Sequence, residues 1–256
     1  MISSSSPTYR PQYSVEKLQQ FYDKVFDYLH EKDRIYDRFD TGESSEFKKL
    51  IVSDAIVLSV KLPEALIDQI RCCARFFAAI SLLQGLLAFE QDIWMRGSVS
   101  VGNLFIDETR NILVGPAFVQ AYQLEQNADY PRIIIDPRVC DRLSLTPNTF
   151  RDRINAAGNG ENLLPNTGIA RMGRHAFPYD AIQIDWFRHC FDRGVQLDKF
   201  FSGLRRRMTS SQSLFEKSLK TGRYLRESCD FELHNRQRNH NGRLAEIELK
   251  LTDLGF

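Results

Sequence analysis

The 256-residue sequence lacks most of the patterns that settle a protein's chemistry on their own. Its five cysteines, Cys72, Cys73, Cys140, Cys190 and Cys229, contain no Cys-x-x-Cys pair. An odd count, with two adjacent residues inside a helical pattern, predicts reduced thiols rather than a disulfide framework or a metal knuckle. The histidines, His30, His175, His189, His234 and His240, show no HExxH or other ligand spacing, which excludes the common zinc motifs. Neither GxxxxGK[ST] nor GxGxxG occurs, so Gly158, Gly160 and Gly168 do not form a phosphate loop. A net charge of +1 supplies no broad basic field for a long nucleic acid. RNP-like aromatics and a GXXG loop are also missing. No run reaches eighteen apolar residues, and no positive-apolar-small leader opens the chain. The expectation is therefore a cytoplasmic protein with neither nucleic acid nor membrane as partner. No internal repeat is found.

What is present begins with Phe47 to Val60, FKKLIVSDAIVLSV. Two apolar, β-branched runs flank Ser53-Asp54, a tight-turn pair, and this predicts a hairpin with a carboxylate at its bend. Before it, residues 1–14 read as a flexible arm, and Ser14 caps a predicted amphipathic helix carrying Val15, Leu18, Phe21, Val25 and Leu29. After it, Pro63 and Glu64 open a long helical segment to about Phe89, apolar enough to be buried on more than one side. Trp94 to Val101 and Asn103 to Ile106 read as strands of the same sheet. Pro116 fits the first turn of a helix over Ala117 to Gln126. A strand over Arg132 to Ile135 follows.

Beyond Val139 the pattern weakens. Thr146 to Arg174, rich in glycine and asparagine, reads as a long loop or elaborated hairpin, and Ala181 to Ile184 as a strand. Trp186 to Leu204 and Ser211 to Arg226 read as helices around the basic run Arg205-Arg206-Arg207, whose simplest role is a solvated helix end. Leu244 to Phe256 alternates, which predicts a terminal strand. The expected class is α+β, one sheet with helices on one face, divided into a catalytic-type domain over 15–185, a helical extension over 186–243 and the strand over 244–256.

Four pieces in register carry a family resemblance: LIVSDAIVLSV (50–60), MRGSVSVGNLF (95–105), ILVGPAFVQAYQLE (112–125) and YPRIIID (130–136). Over roughly residues 15 to 140 the chain resembles the class III nucleotide cyclases, in particular the bacterial pyrimidine cyclases of anti-phage signalling. The resemblance implies a ferredoxin-like sheet, a head-to-tail homodimer and two Mg2+ or Mn2+ ions. It also implies cyclisation of a nucleoside triphosphate, UTP or CTP, to the 3′,5′-cyclic monophosphate and pyrophosphate. The messenger would act on a separate effector. The rival expectation is a cyclase-like domain without catalysis that binds nucleotide or protein.

Carried over residue by residue, the resemblance makes Asp54 the hairpin metal ligand, where local sequence alone reads a turn-former. Lys48 matches a base-contacting lysine, against the plain reading of a snorkelling strand residue. The asparagine and arginine of the family's transition-state stretch fall on Val119 and Gln123, and its base-reading polar residue on Ile112. Other donors are then expected, with Arg96 and Arg132 as the substrate-binding choices and Arg171 and Arg174 as further ones. The family's first-strand aspartate has no counterpart in MISSSSPTYRPQY. LKLTDLGF (249–256) resembles that strand and its Asp-x-Gly-Phe exit, which makes Asp253 the second metal ligand in a permuted order, or an incidental tail residue.

Overall fold

The computed structural model describes residues 2–4, 19, 22–23, 27, 47–52, 55–128, 130–158, 169–173, 181–187, 196–235 and 241–256. The predicted helix over 15–29 lies outside them, except for Gln19, Tyr22, Asp23 and Asp27, which are helical. In chain order the elements are β1 (Ile2–Ser4), β2 (Phe47–Val52), β3 (Ala55–Val60), α1 (Leu66–Gln91), β4 (Met95–Val99), β5 (Phe105–Asp107), β6 (Ile112–Val114), α2 (Pro116–Glu125), β7 (Ile133–Ile135), α3 (Pro137–Arg142) and α4 (Pro147–Gly158). They continue with β8 (Ile169–Gly173), β9 (Ala181–Ile184), α5 (Leu197–Met208), α6 (Gln212–Asn235) and α7 (Asn241–Asp253). The class is mixed α+β.

The hairpin forms as its alternation demands. β2 and β3 pair antiparallel without a slip, from Phe47↔Val60 to Val52↔Ala55. Successive side chains then point to opposite faces: Ile56 and Leu58 join the core beneath α1, while Val57 and Leu50 pack the other way with Ile106. The register leaves Ser53 and Asp54 to join the strands, and both lie outside the described residues.

α1 lies on this sheet, its 26 residues spanning about 39 Å. By length and composition it could cross a membrane, yet 83% of its most apolar window is buried in the fold, so it is a core helix. At its start the Gln69 amide donates to the carbonyls of Pro63 (2.8 Å) and Glu64 (3.1 Å). It stops at Asp92, which takes a left-handed φ of 57°, and the next N–H, of Ile93, returns to the Leu87 carbonyl at 3.0 Å. Asp is one of the few side-chain-bearing residues that tolerates this region.

The main sheet has the order β2-β3-β1-β4-β7-β9-β8. β1 is antiparallel to both β3 and β4, β7 is parallel to β4, and β9 is antiparallel to β7. Both faces are covered, which corrects the expectation of helices on one face. Ile133 and Ile135 pack toward α1 and α4, whereas Ile134 packs with Ala128 and Leu124 on the side of α2. An unbroken Ile-Ile-Ile run suits a strand buried on both sides. β5 and β6 form a separate two-stranded ladder, so Asn103 to Ile106 is not part of the main sheet as predicted.

A second core lies at the other end of α1. Trp186 and Phe187, which follow β9 and are not helical, meet Phe89, Trp94, Phe200 and Tyr224, with Phe89 and Phe200 centroids 4.8 Å apart. Buried Asp185 accepts from the Tyr224 hydroxyl at 2.5 Å. Asp92 ties α1 to α5 through Arg206 and Arg207 (both 2.5 Å), and the Arg207 guanidinium lies 4.2 Å over the Trp94 ring.

Three further expectations are corrected. Pro147 to Gly158 is helical and not loop, because Phe150, Ile154 and Ala157 recur at helical spacing and enter the core under α1. Ile2–Ser4, within the stretch read as an arm, is a central strand, where it pairs backbone groups of β3 and β4 that burial would otherwise leave unsatisfied. Finally, the terminal segment is a helix. Leu244, Ile247 and Leu251 are buried at three- and four-residue spacing, while Leu249, which a strand would bury with Ile247 and Leu251, is 63% exposed. The Asp-Leu-Gly-Phe ending is the helix stop. Gly255 takes φ 86°, its N–H donates to the Thr252 carbonyl (2.9 Å), and the Phe256 N–H donates to the Leu251 carbonyl (3.0 Å). These two bonds make a Schellman motif.

Candidate functional site

A pocket of about 550 Å3 lies between β3, α1 and α2. β3 and the chain from Ser98 to Leu104 form its sides, α1 closes one end with Phe77 and Ile80, and α2 closes the other with Ala117 and Phe118. Gly115 brings the start of α2 against this wall: it holds φ 152°, and a Cβ there would sit 2.4 Å from the Asn103 carbonyl oxygen. Only glycine permits that approach. The Ser98 and Ser100 hydroxyls donate to the Ala121 (2.5 Å) and Ala117 (2.6 Å) carbonyls, fixing α2 along β4. Among the described lining residues the charged ones are Lys48, Lys61 and Arg142, all basic.

Lys48 stands on β2 opposite Ser59, half-buried at the cavity wall. It faces the side of the sheet that carries β5 and β6, where it helps hold the Asp107 carboxyl below the usual carboxylate range. The larger cause of that depression is Arg110, whose backbone N–H donates to Asp107 at 2.9 Å and whose Nε donates at 2.6 Å. Cys73 also lines the cavity, and burial pushes its thiol up to about 12. The same cause pushes Cys140 up to about 11. Such thiols are inert at neutral pH. Cys72, Cys73, Cys140 and Cys229 are buried and form no disulfide among the described residues; Cys190 lies outside the described residues.

The two arginines expected to hold substrate are engaged elsewhere. The Arg96 Nε stands 2.7 Å from buried Glu125, and its Nη1 donates to the Ala128 carbonyl at 3.4 Å. Arg132 is 2% exposed, stacks 4.7 Å over the Tyr130 ring and donates to the Asn127 carbonyl at 3.0 Å. Both brace the connection between α2 and β7. Glu125 is the residue that sequence reasoning missed: its sole signal was a carboxylate at the end of an otherwise apolar helical face.

Asp54 lies outside the described residues. Asp253 is exposed on the last turn of α7, so it does not supply a strand carboxylate beside the hairpin. The strand that does neighbour β3 is β1, whose residues are Ile2, Ser3 and Ser4, with Ser3 opposite Ala55. Among the described residues no group of three or more His, Cys, Asp or Glu side chains could hold a metal ion. Val119 (51% exposed) and Gln123 share the solvent face of α2, and Ile112 is half-buried on β6. Arg171 is on β8, and Arg174 lies outside the described residues. Compared with known proteins, the chain matches no family model, no curated protein and no solved structure.

Proposed function

We propose that this protein is a nucleotide cyclase of the class III type that converts UTP or CTP to the 3′,5′-cyclic monophosphate and pyrophosphate as a phage-defence messenger. The observation that carries the reading is the order β2-β3-β1-β4, antiparallel at every step, with α1 crossing from β3 to β4. That order supports the reading because a ferredoxin-like sheet is built from a split β-α-β arrangement of the same kind. In the reaction the ribose 3′-oxygen bonds to the α-phosphorus, the bond from that phosphorus to the bridging oxygen breaks, and the hydroxyl proton leaves to solvent. Lys48 supplies positive charge at the β2 wall. The divalent ions, the head-to-tail dimer, the cytoplasmic location and the separate effector belong to the same proposal.

The test is incubation of the full chain with each of the four nucleoside triphosphates and Mn2+, with products identified by mass. A cyclic uridine or cytidine monophosphate supports the reading, and absence of product from all four overturns it. One observation favours a second reading, a domain that binds nucleotide or protein without turnover: Ser3 and Ser4 stand on the strand beside the hairpin, and Asp253 stands on α7. Saturable UTP or CTP binding by calorimetry, with no product, would select it.

A further inference from the structure

Helix α2 is attached to the sheet by a polar ladder. Along β4 and the residue after it the side chains alternate: Met95 and Val99 enter the core under α1, whereas Arg96, Ser98 and Ser100 face α2. On α2 the buried residues recur at every fourth position, Ala117, Ala121 and Glu125. The rungs run antiparallel. Ser100 donates to the Ala117 carbonyl at 2.6 Å, Ser98 donates to the Ala121 carbonyl at 2.5 Å, and the Arg96 Nε stands 2.7 Å from Glu125. Two residues of strand advance about 6.7 Å and four of helix about 6.0 Å, so the three rungs keep register.

Little apolar surface supports these rungs. No large apolar side chain of α2 is fully buried: Phe118 and Leu124 are half-buried, and Val119 and Tyr122 are more than half exposed. The groups that reach the sheet are two methyls and a carboxylate. Glu125 is buried, yet its Oε1 and the Arg96 Nε, though close, are not aligned as a hydrogen bond. A buried ion pair returns about what its desolvation costs, and less where its hydrogen bonds are incomplete. Elements with few buried apolar contacts are the ones that open well below the cost of global unfolding.

We propose that α2 is a separate opening unit of the fold, which undocks from β4 and unwinds while α1 and the sheet stay folded. Its two ends are held. Gly115 packs against Asn103, where a Cβ would sit 2.4 Å from the carbonyl oxygen, and buried Ala128 packs with Ile134. A ten-residue helix is marginal in water by itself, so leaving β4 and losing the helix are one event. The held ends return the segment to register, since a slip of one turn would set Glu125 against Ser98 and leave Arg96 without its carboxylate. Opening withdraws Ala117 and Phe118 from the pocket wall, so α2 gates the pocket from that side. The inference goes beyond the nucleotide reading and does not rest on it.

The experiment is amide hydrogen exchange on the full chain without added ligand. Amides from Gln120 to Glu125 should be at least a hundredfold less protected than those from Phe77 to Leu87 in α1. Low urea should leave the α2 rates unchanged, since a local opening exposes little surface. Two variants give opposite signs. Glu125→Ala, which strands the Arg96 charge, should speed α2 exchange at least tenfold. Arg96→Met combined with Glu125→Met, an apolar pair of similar length, should slow it at least tenfold, with α1 rates unchanged in both. Equal protection and one urea dependence for α2 and α1 overturn the proposal, and so does a paired variant whose α2 exchange is unchanged or faster. If the paired variant does not fold, the comparison of α2 with α1 in the parent decides alone. The readout needs no nucleotide, so it stands or falls apart from the cyclase assay.

Discussion

Replacing Gly222 with alanine tests how the end of the chain is held. Gly222 lies inside α6, and a Cβ there would meet the Phe256 ring at 2.1 to 2.3 Å. No Cβ tolerates that distance, so the ring must leave. Phe256 is partly buried against the aromatic core around Trp186, and expelling a side chain of this size costs about 2 kcal/mol. The substitution also removes a helix-interior glycine, which contributes about 1 kcal/mol in the other direction. Gly222→Ala should therefore destabilise by about 1 kcal/mol, a fall of roughly 2–4 °C in melting temperature for a domain of this size. In a Phe256→Ala background the conflict is gone and only the propensity gain remains, so the same substitution should raise the midpoint by a similar amount. The measurement is a double-mutant cycle by thermal and urea unfolding, with an expected coupling of about 2 kcal/mol. Equal shifts of one sign in both backgrounds would refute the packing described between α6 and the chain end.

Asp54→Asn should abolish cyclic product in the mass assay, whereas Asp253→Asn should leave both turnover and stability within about 0.5 kcal/mol of the parent, as exposed substitutions do. Asp92 combines a left-handed φ of 57° with ion pairs to Arg206 and Arg207. Asp92→Ala loses the pairs and keeps the strain, while Asp92→Gly relieves the strain, so the glycine variant should be the more stable by about 1 kcal/mol in urea unfolding. Cys73 keeps its proton up to about pH 12 in the fold but loses it from about 9.0 in the unfolded chain. The unfolded state then binds fewer protons across that window, so stability falls as pH rises from 9 to 12, by up to about 4 kcal/mol. Comparing unfolding midpoints of the parent and Cys73→Ala at pH 8.5 and 11 measures this: the variant's curve should be flatter, and parallel curves would contradict the burial.

The hairpin and α1 were legible because each carries a single period. Phe47 to Val60 alternates and nothing in it competes, and the apolar content of Leu66 to Gln91 buries most of the helix. The helix start at Pro116 was legible too, whereas Asp136, whose side chain accepts from the Arg138 N–H at 3.0 Å, caps a helix that the sequence did not announce. The chain end was not, since Ile247, Leu249 and Leu251 satisfy a strand while Leu244, Ile247 and Leu251 satisfy a helix. Burial chose the second. β1 carries no pattern in three residues, and its place is set by partners 52 to 95 positions away. At the site, Lys48 stands at the β2 wall as its strand position implied. Arg96 and Arg132 read as free cations in the sequence only because their partners, Glu125 and the carbonyls of Asn127 and Ala128, arrive through the turn after α2.

The position of β1 has a consequence for biosynthesis. The strand precedes both of its partners in the chain: Ile2 pairs with Ile56 and with Gly97. At about 5–20 residues per second, on the order of 5 to 20 s pass between synthesis of Ile2 and synthesis of its second partner. Contacts at such sequence separation close late, because the loop entropy must be spent before the pairing returns anything. The β2–β3 hairpin, whose partners are adjacent in the chain, therefore closes ahead of the pairing of β1 with β4.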